Sequence, residues 1–261
     1  MNFHKSVKVH SRDGYSHLSM PAVPTPQKAA WTAEGQEKRE TVQRMFADIA
    51  PTYDFCNSLM SLRLHGRWRS VAVSKLNLAP GDTVADICCG TGDFFVPLRG
   101  AIGEQGRMVG IDFCLPMLER AEIKDSATMR ALGDGCRLPL ASESVDAVTV
   151  GWGIRNVPDI DGAHREIFRV LKPGGRFVSL DMARPRNGFL RAMSELVTLR
   201  LLPLLGSLFG KREAYTYLPK SAQKFKSRDE LKASMESAGF GDVNFQDLFF
   251  GNICIHFGRK Q

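Results

Sequence analysis

Acidic residues and glycines recur at three points of the sequence, each directly after a predicted strand. The first is the segment Asp86-Ile-Cys-Cys-Gly-Thr-Gly-Asp93, the second is Asp112 and the third is Gly133-Asp134-Gly135. Gly90 and Gly92 allow a tight turn in which the backbone passes close to a ligand, and a carboxylate after the second strand can accept hydrogen bonds from ribose hydroxyls. The pattern predicts a site for a nucleoside-containing cofactor at one end of a sheet.

The residues beside the first turn indicate which cofactor it suits. A dinucleotide-binding turn has a small residue where this chain has Phe95, and the carboxylates of Asp86 and Asp93 would repel a pyrophosphate. A sulfonium cation with an amino-acid tail would not be repelled, because Asp86 can attract its positive groups and the turn amides can hold its carboxylate. We therefore predict S-adenosylmethionine as the cofactor, with Asp134 accepting from the adenine amino group. The alternative for Asp134 is a simple turn residue.

Alternating strand and helix patterns surround these residues. Seven short apolar strands are predicted, at residues 83–87, 107–111, 128–132, 145–150, 176–181, 243–248 and 252–257. Regular alternation of strands with helices indicates a parallel sheet that is covered by helices on both faces. The short turn at Gly251-Asn252 makes the last strand antiparallel. The prediction is a doubly wound, mostly parallel, seven-stranded α/β sheet.

The segments outside the sheet divide into an arm, a cap and a lid. Residues 1–36 are polar, contain three prolines and lack periodicity, so we expect a disordered or loosely packed arm. Residues 37–78 are expected to form a helical cap, with one helix that Pro51 ends and a second from about Ser58 to Leu76. Residues 184–228 interrupt the sheet pattern, and their apolar periodicity predicts a helical lid.

Composition limits the classes of protein that fit. The 261 residues are 43% hydrophobic and 24% charged, which is ordinary for a globular domain and unlike a collagen, a coiled coil or a disordered chain. No apolar run reaches the about 18 residues of a membrane span, and the N-terminus lacks a secretory signal pattern. Six scattered cysteines without C-x-x-C pairs predict neither a metal site nor disulfides, which favours a cytoplasmic location.

The positive charge of the chain is concentrated in one segment. The net charge is +7, and residues 184–232 contain eleven basic and four acidic side chains, a difference that accounts for the whole excess. Together with the apolar lid residues, this charge predicts peripheral contact with an anionic membrane. The residues concerned are Phe189, Leu190, Met193, Leu196, Val197, Leu201, Leu204, Leu205, Leu208, Arg184, Arg186, Arg191, Arg200, Lys211 and Arg212. The alternative is an ordinary surface helix with a solvated basic face.

Longer motifs around these residues resemble a known family. The Asp86–Asp93 turn, with Asp112 and Asp134, resembles that of the class I S-adenosylmethionine-dependent methyltransferases. More narrowly, three segments are similar to signatures of the ubiquinone/menaquinone biosynthesis C-methyltransferases: Tyr53-Asp-Phe-Cys-Asn57, Gly153-Ile-Arg-Asn-Val157 and Arg169-Val-Leu-Lys-Pro-Gly-Gly175. The resemblance extends over about residues 40–261, and it implies a methyltransferase domain at 37–261 that often forms a homodimer.

The resemblance also implies a reaction and its site residues. Beside Asp86, Gly90 and Gly92, it implies cofactor contacts at Thr91, Asp112, Asp134, Gly135 and Gly151. Residues in matching motifs that would contact the methyl acceptor are Tyr53, Asn57 and Tyr217. The implied reaction is transfer of a methyl group to a ring carbon of a polyprenylated quinol, with demethylmenaquinol preferred and the ubiquinone precursor second.

Transfer to a ring carbon requires that the neighbouring hydroxyl lose its proton. Arg155 can stabilise the developing phenolate and Asn156 can orient it. The alternative for Arg155 is an ion pair with Asp159 or Asp161. His65 or Asp54 is the candidate proton acceptor, and the alternative for His65 is a packed or capping imidazole.

Two other functions share part of this pattern. A methyltransferase for a different hydrophobic small molecule would keep the cofactor half of the site and change the acceptor half. A non-catalytic nucleotide or RNA binder would need aromatic residues interleaved with the basic segment, and Tyr215, Tyr217 and Phe225 supply few of these without a base-reading motif. Nucleic acid is therefore not expected as a partner.

Overall fold

A computed structural model describes residues 35–197, 199 and 212–261. The strands are β1 Thr83–Ile87, β2 Arg107–Asp112, β3 Met129–Leu132, β4 Val145–Gly151, β5 Leu171–Met182, β6 Phe240–Leu248 and β7 Ile253–Lys260. The helices are α1 Gly35–Ile49, α2 Tyr53–Met60, α3 His65–Ser74, α4 Phe95–Ile102, α5 Leu115–Ala121, α6 Ile160–Val170, α7 Gly188–Leu196, α8 Arg212–Lys224 and α9 Arg228–Ser237. Short 3-10 turns lie at Ala50–Thr52, Ile154–Asn156 and Phe249–Gly251.

The seven strands form one sheet in the order β3-β2-β1-β4-β5-β7-β6. Strands β1 to β5 pair in parallel, and β7 pairs antiparallel with both β5 and β6. The predicted fold class is therefore confirmed, including the antiparallel last strand. The chain direction across the sheet reverses between β1 and β4, and in such sheets ligands bind at the carboxyl ends of the strands beside that point.

Alternate side chains of the strands enter two separate cores, one on each face of the sheet. Val84 and Val178 belong to the core that α3 and α4 cover with Trp68 and Leu98. Their sequence neighbours Ala85 and Phe177 belong to the second core, whose helical cover comes from α6 and α9. Burial on both faces explains why the strands read as continuous apolar runs. Because helices cover both faces, a ligand can reach the strands only at an end of the sheet.

The cap differs from the prediction of one helix over residues 58–76. Two helices are present, because α2 ends at Met60 and α3 begins at His65. Between them Leu62 and Arg63 adopt positive φ angles of 49° and 62°, and the Arg63 amide donates to the Ser58 carbonyl at 2.7 Å. Apolar periodicity continues through this turn, so periodicity alone could not detect the break.

Parts of the predicted arm and lid lie outside the described residues. Helix α1 already begins at Gly35, and residues 1–34 are not among those described. Within the predicted lid, α7 and α8 are described, whereas residues 198 and 200–211, and with them Arg200, Leu201, Leu204, Leu205, Leu208 and Lys211, are not. None of the helices in the described ranges is long and apolar enough to cross a bilayer.

Candidate active site

A cleft of about 710 Å³ opens at the carboxyl ends of β1, β2, β3 and β4. Its walls come from the segments that follow these strands, and α1 and α2 contribute side chains from above. The lining residues are Arg39, Phe46, Tyr53, Cys88, Gly90, Asp112, Phe113, Met117, Gly133, Asp134, Gly135, Gly151, Trp152, Gly153, Asn156, Val157 and Pro158. The sheet topology thus brings together residues from three predicted ligand segments that are far apart in sequence.

Asp112 holds the glycine turn after β1 in place. Its carboxylate accepts from the Gly90 amide at 2.8 Å and from the Cys114 amide at 2.9 Å. Burial raises the pKa of Asp112 to about 6, against the opposing effect of these backbone hydrogen bonds. Each carboxylate oxygen keeps a second lone pair, so the side chain can still accept from ribose hydroxyls.

Phe95 fits beneath the turn because two glycines make room for its ring. A Cβ at Gly92, where φ is +78°, would lie 2.7 Å from the ring, and a Cβ at Gly110 would lie 2.4 Å from it. Phe95 is fully buried in the core beneath β1 and β2. The bulky residue that argued against a dinucleotide therefore serves as packing under a turn that stays open to a ligand.

Asp86 carries an unsatisfied carboxylate oxygen. Thr149 donates to its Oδ1 at 2.7 Å, whereas Oδ2 is buried with no hydrogen-bond partner among the described residues. Burial raises the pKa of Asp86 to about 7. Asp86 lines an extension of the cleft of about 280 Å³, together with Arg69, Thr91 and Gly151. Arg69 is itself paired with Asp93 and packed on Trp152, so the unsatisfied Asp86 oxygen is available to a cationic ligand in this extension.

S-adenosylmethionine fits these residues by charge and by shape. Its ammonium and sulfonium groups would face Asp86, its ribose hydroxyls would face Asp112, and the positive-φ turn at Gly90 leaves the backbone open beside them. The Gly151 backbone also borders this space, and a Cβ there would lie 2.5 Å from the Phe94 ring. Gly151 can therefore offer only backbone groups to a ligand.

Asp134 lies at the other end of the cleft and is already paired. Its Oδ1 accepts from the Cys136 amide at 2.9 Å, and its Oδ2 lies 2.8 Å from a guanidinium nitrogen of Arg39. Gly135 lines the cleft beside it. An adenine amino group at Asp134 would share this carboxylate with Arg39, a residue of α1 that belongs to none of the predicted site motifs.

Asp54 belongs to an ion-pair network behind the turn rather than to the cleft lining. Its carboxylate accepts from the Thr91 hydroxyl at 2.5 Å and lies 3.0 Å from the Lys124 ammonium. Lys124 also contacts Asp93. The network joins α2 to the cofactor turn, so the position of Thr91 depends on Asp54. A lysine contact of this kind has no sequence signal, because it joins residues seventy positions apart.

His65 lies in the same network, one layer further from the cleft. The Arg69 guanidinium, which only donates, is 2.6 Å from Nδ1, so that nitrogen accepts, and Nε2 lies 3.1 Å from the Ser58 hydroxyl. Burial, followed by the charge of Arg69, lowers the pKa of His65. The imidazole is therefore neutral and both of its nitrogens are engaged. The other terminal nitrogen of Arg69, Nη2, lies 2.6 Å from the Asp93 carboxylate.

Arg155 forms a buried ion pair with Asp181 at the end of β5. Its guanidinium contacts the Asp181 carboxylate and donates to the Trp152 carbonyl at 2.8 Å. The predicted alternative partners are wrong. Asp159 instead caps α6 by accepting from the Gly162 amide, and Asp161 lies 3.0 Å from the Lys226 ammonium. Arg155 does not reach the cleft lining itself but lies beneath Trp152 and Asn156.

Asn156 faces the cleft and is held from both sides. Its amide nitrogen donates to the Trp152 carbonyl at 3.1 Å, and its oxygen accepts from the Tyr217 hydroxyl at 2.8 Å. Tyr217, on α8, is buried, and burial raises its pKa to about 12. The predicted lid segment thus contributes a residue that positions a cleft side chain.

Tyr53 and Asn57 lie on the α2 side of the site. Tyr53 lines both the cleft and its extension, whereas Asn57 hydrogen-bonds the Tyr53 hydroxyl. Burial raises the pKa of Tyr53, so the phenol is neutral and available as a donor. Trp152, which sequence reasoning missed, lines the opposite wall and stacks on Arg69, whose guanidinium is 4.6 Å from the indole centroid. The only sequence signal for Trp152 was its place between two glycines.

Comparison with known proteins agrees with this geometry. The model of the ubiE/COQ5 methyltransferase family matches residues 33–260. A demethylmenaquinone methyltransferase of Desulfitobacterium hafniense is 41% identical over 233 residues, which are 87% of this chain and 92% of that protein. The ubiquinone/menaquinone biosynthesis C-methyltransferase UbiE of Geotalea daltonii is 37% identical, with 86% and 98% covered.

Solved structures share the fold at lower identity. A SAM-dependent methyltransferase of Thermotoga maritima, described as a possible histamine N-methyltransferase, superposes with a TM-score of 0.61 at 22% identity, covering 84% of this chain and 99% of that one. Phosphoethanolamine N-methyltransferase 2 of Haemonchus contortus, in complex with S-adenosyl-L-methionine, gives 0.55 at 16% identity, with 74% and 52% covered. The family match and the curated relatives confirm the methyltransferase prediction and its cofactor: the chain belongs to the ubiE/COQ5 methyltransferase family.

Proposed function

We propose that this protein transfers the methyl group of S-adenosylmethionine to a ring carbon of a polyprenylated quinol. The observation that carries the proposal is the division of one cleft into two chemically different halves. Carboxylates and glycines that follow β1, β2 and β3 form one set of lining residues, which we call the cofactor half, and Tyr53, Phe113, Trp152 and Val157 form an aromatic and apolar set, which we call the acceptor half. A charged cofactor and an oily ring can therefore lie side by side. The names of the relatives support the same acceptor class.

The cofactor half binds by charge complementarity. S-adenosylmethionine, when bound, supplies an electrophilic methyl group on a sulfonium sulfur. Asp86 stabilises positive charge, Asp112 accepts from the ribose hydroxyls, and Asp134 with Gly135 borders the adenine. Thr91, Gly90, Gly92 and Gly151 shape the space around the amino-acid end. Much of the rate acceleration would come from holding donor and acceptor in line, as is general for bimolecular transfers.

The acceptor half would stabilise negative charge on the quinol oxygen. Arg155 lies beneath Trp152 and Asn156, and its guanidinium, with Asp181 as its counter-ion, would lower the energy of a phenolate in a site of low polarity. Asn156, which Tyr217 and the Trp152 carbonyl hold, would orient the oxygen. For the proton acceptor, the network places Asp54 nearer to the cofactor turn than His65, and the Nδ1 lone pair of His65 is already used. We therefore favour Asp54 over His65 as the proton acceptor, because a carboxylate oxygen that accepts one hydrogen bond keeps a second lone pair.

The ring that we propose first is that of demethylmenaquinol, and the ubiquinone precursor is second. Both names occur among relatives of similar identity, so the experiment must compare the two rings directly. Purified protein would be incubated in detergent with S-adenosylmethionine carrying a labelled methyl group and with each quinol in turn. Label in the lipid phase with the naphthoquinol supports the first proposal, and label only with the benzoquinol supports the second. No label with either ring contradicts the proposed function.

Helix α7 supports a peripheral membrane association. Phe189, Met193 and Leu196 expose 71%, 51% and 58% of their surface, and Arg191 and Arg186 lie on the same segment. An apolar face flanked by arginines is suited to the interface of an anionic bilayer. In vesicle flotation, we expect salt-sensitive binding to anionic but not to neutral vesicles, and weaker binding by Phe189→Ser. Equal flotation of both proteins contradicts the role of Phe189, and no flotation of the wild-type protein contradicts the association. A cytoplasmic location and a homodimer stay predictions.

A further inference from the structure

A continuous row of aromatic side chains connects the cleft with the turn between β6 and β7. Trp152 lines the cleft, and its ring centroid lies 6.3 Å from that of Trp68. Trp68 lies 5.5 Å from Phe249, which in turn lies 5.8 Å from Phe250. Trp68 is buried, whereas Phe249 is 41% and Phe250 73% exposed. The row therefore begins in the candidate active site and ends in solvent.

The backbone holds three members of this row in a conformation that bulky residues rarely adopt. The φ angles of Trp152, Phe249 and Phe250 are 54°, 45° and 56°. Glycine takes such angles without strain, so a requirement for a turn alone would not explain aromatic residues at these positions. Strained residues persist where the surroundings enforce them, and they cluster at ligand-binding sites. The strain is a second observation, independent of the row, that favours a role in binding.

The cleft end of the row is rigid. The Trp152 amide donates to the Leu180 carbonyl at 2.7 Å, and the Arg69 guanidinium packs 4.6 Å from the indole centroid. Trp68 packs within the core beneath the sheet. Rigid aromatic faces bind apolar chains at a small cost in side-chain entropy. The exposed end adjoins α7, because the Ser194 hydroxyl donates to Asn252, which follows the turn.

We propose that Trp152, Phe249 and Phe250, which Trp68 supports from the core, bind the isoprenoid tail of the methyl acceptor as it leaves the cleft. The inference rests on the proposed function, because it takes the ring of a prenylated quinol to lie beside Trp152. Continuity with the cleft assigns the occupant: a chain attached to a ring in the aromatic half has this apolar path to the surface. The tail would then emerge beside α7, the face that we propose lies against the bilayer.

The test compares two acceptors that differ only in the tail. KM would be measured in detergent for a naphthoquinol with a prenyl tail and for the same ring without one, in the wild-type protein and in Phe249→Ala and Phe250→Ser. Loss of one buried phenyl contact should raise KM for the tailed quinol by about tenfold. KM for the tail-less ring and the affinity for S-adenosylmethionine should not change. Met129→Ser is the matched control, since Met129 is 61% exposed on β3 at the opposite edge of the sheet.

The outcomes separate this inference from the proposed function. Equal KM values for the tailed quinol in wild-type and variant proteins overturn the tail path, and so does an equal rise for both acceptors. Methylation of neither quinol by the wild-type protein contradicts the proposed function instead. In that case the tail path is still tested by tryptophan fluorescence, where the tailed compound should quench the wild-type protein at lower concentration than Phe249→Ala. Identical quenching curves would again overturn it.

Discussion

The two halves of the cleft differ in whether their buried charged groups have a partner within the protein. In the cofactor half, the Asp86 carboxylate is buried and one of its oxygens has no hydrogen-bond partner among the described residues, while Arg69, which borders the same space, is paired with Asp93. In the acceptor half, Arg155 is neutralised by Asp181, and aromatic rings form the wall. The first half is therefore suited to a cation, whereas the second, whose buried charges are already paired with each other, is suited to an apolar ring.

Loss of Asp112 should have the largest effect, because it acts on the turn and on the ligand together. Asp112→Ala removes the acceptor for the Gly90 and Cys114 amides as well as the proposed ribose contact. Hydrogen bonds to a charged group contribute about 1.5–3 kcal/mol each, so we expect affinity for S-adenosylhomocysteine to fall by about a thousandfold. Isothermal titration calorimetry measures this, with circular dichroism as the control for folding. A loss of affinity smaller than about tenfold would contradict the assignment of Asp112 to the cofactor half.

Variants of the Arg155–Asp181 ion pair distinguish an effect on catalysis from an effect on the stability of the fold. Arg155→Met alone leaves Asp181 buried without its partner and should destabilise the fold by about 3–5 kcal/mol. The double variant Arg155→Met with Asp181→Leu replaces both charges and should recover most of that stability. We expect turnover to stay low in the double variant while cofactor affinity stays normal. Thermal unfolding and a methyl-transfer assay give the two readouts, and normal turnover in the double variant would show that Arg155 is only structural.

Asp86→Asn should weaken the cofactor and strengthen the fold. The substitution keeps the acceptor for Thr149 and removes a buried charge. Affinity for S-adenosylmethionine should fall by about ten- to a hundredfold, as expected for one lost charge contact of about 1.5–3 kcal/mol. An equal fall for S-adenosylhomocysteine assigns Asp86 to the ammonium group, whereas a fall for the methylated cofactor alone assigns it to the sulfonium. Unchanged affinity for both ligands is the contrary result.

The pH dependence of the same residue gives a smaller effect. Because burial raises the pKa of Asp86 to about 7, cofactor binding below that pH must release a proton. Affinity should therefore fall by up to about tenfold per pH unit as the pH drops below about 7, and should level off above it. In Asp86→Asn the slope should disappear. The raised pKa also makes the folded state lose stability as pH rises from about 4 to about 7, so the stabilisation in Asp86→Asn should be greatest above pH 7.

Tyr217→Phe should have the smallest effect of the series. It removes one hydrogen bond to Asn156, which contributes about 1 kcal/mol, and leaves the ring packing unchanged. We expect kcat to fall by about fivefold with unchanged cofactor affinity. Steady-state kinetics with the quinol varied at saturating cofactor would show this. A change confined to cofactor affinity would contradict the assignment of Tyr217 to the acceptor half.

The cofactor half could be predicted from the sequence because its residues come from short segments after strands. Asp112 and Gly135 are found once the strand before each is found, since parallel strands place their carboxyl ends together. The acceptor half could not be predicted in the same way. Arg155 meets Asp181 and Asn156 meets Tyr217 only after the sheet and α8 are assembled. Such contacts depend on long-range packing that has no periodicity in the sequence.

Local backbone geometry explains the remaining differences. Leu62 and Arg63, at the break between α2 and α3, and the strained Trp152 have positive φ angles. Leucine, arginine and tryptophan are not residue types that indicate a turn, so the sequence did not predict these features. Asp134 shows the converse case. Its turn position was correctly predicted, yet its ion pair with Arg39 of α1 required the whole cap. Composition and spacing thus predict which chemistry is present, whereas pairing between elements decides which groups are free to perform it.

Mass spectrometry of the quinone product tests the central claim most directly. The wild-type protein would be incubated with S-adenosylmethionine carrying a trideuterated methyl group and with the reduced, prenylated naphthoquinol, and the extracted lipid would then be reoxidised. Our account predicts a quinone whose ring carbon bears the deuterated methyl group. A methyl group on carbon leaves both ring hydroxyls unmodified, so the quinol can be oxidised back to the quinone. A deuterated product that resists reoxidation, because its methyl group is on oxygen, or an unlabelled quinone would contradict it.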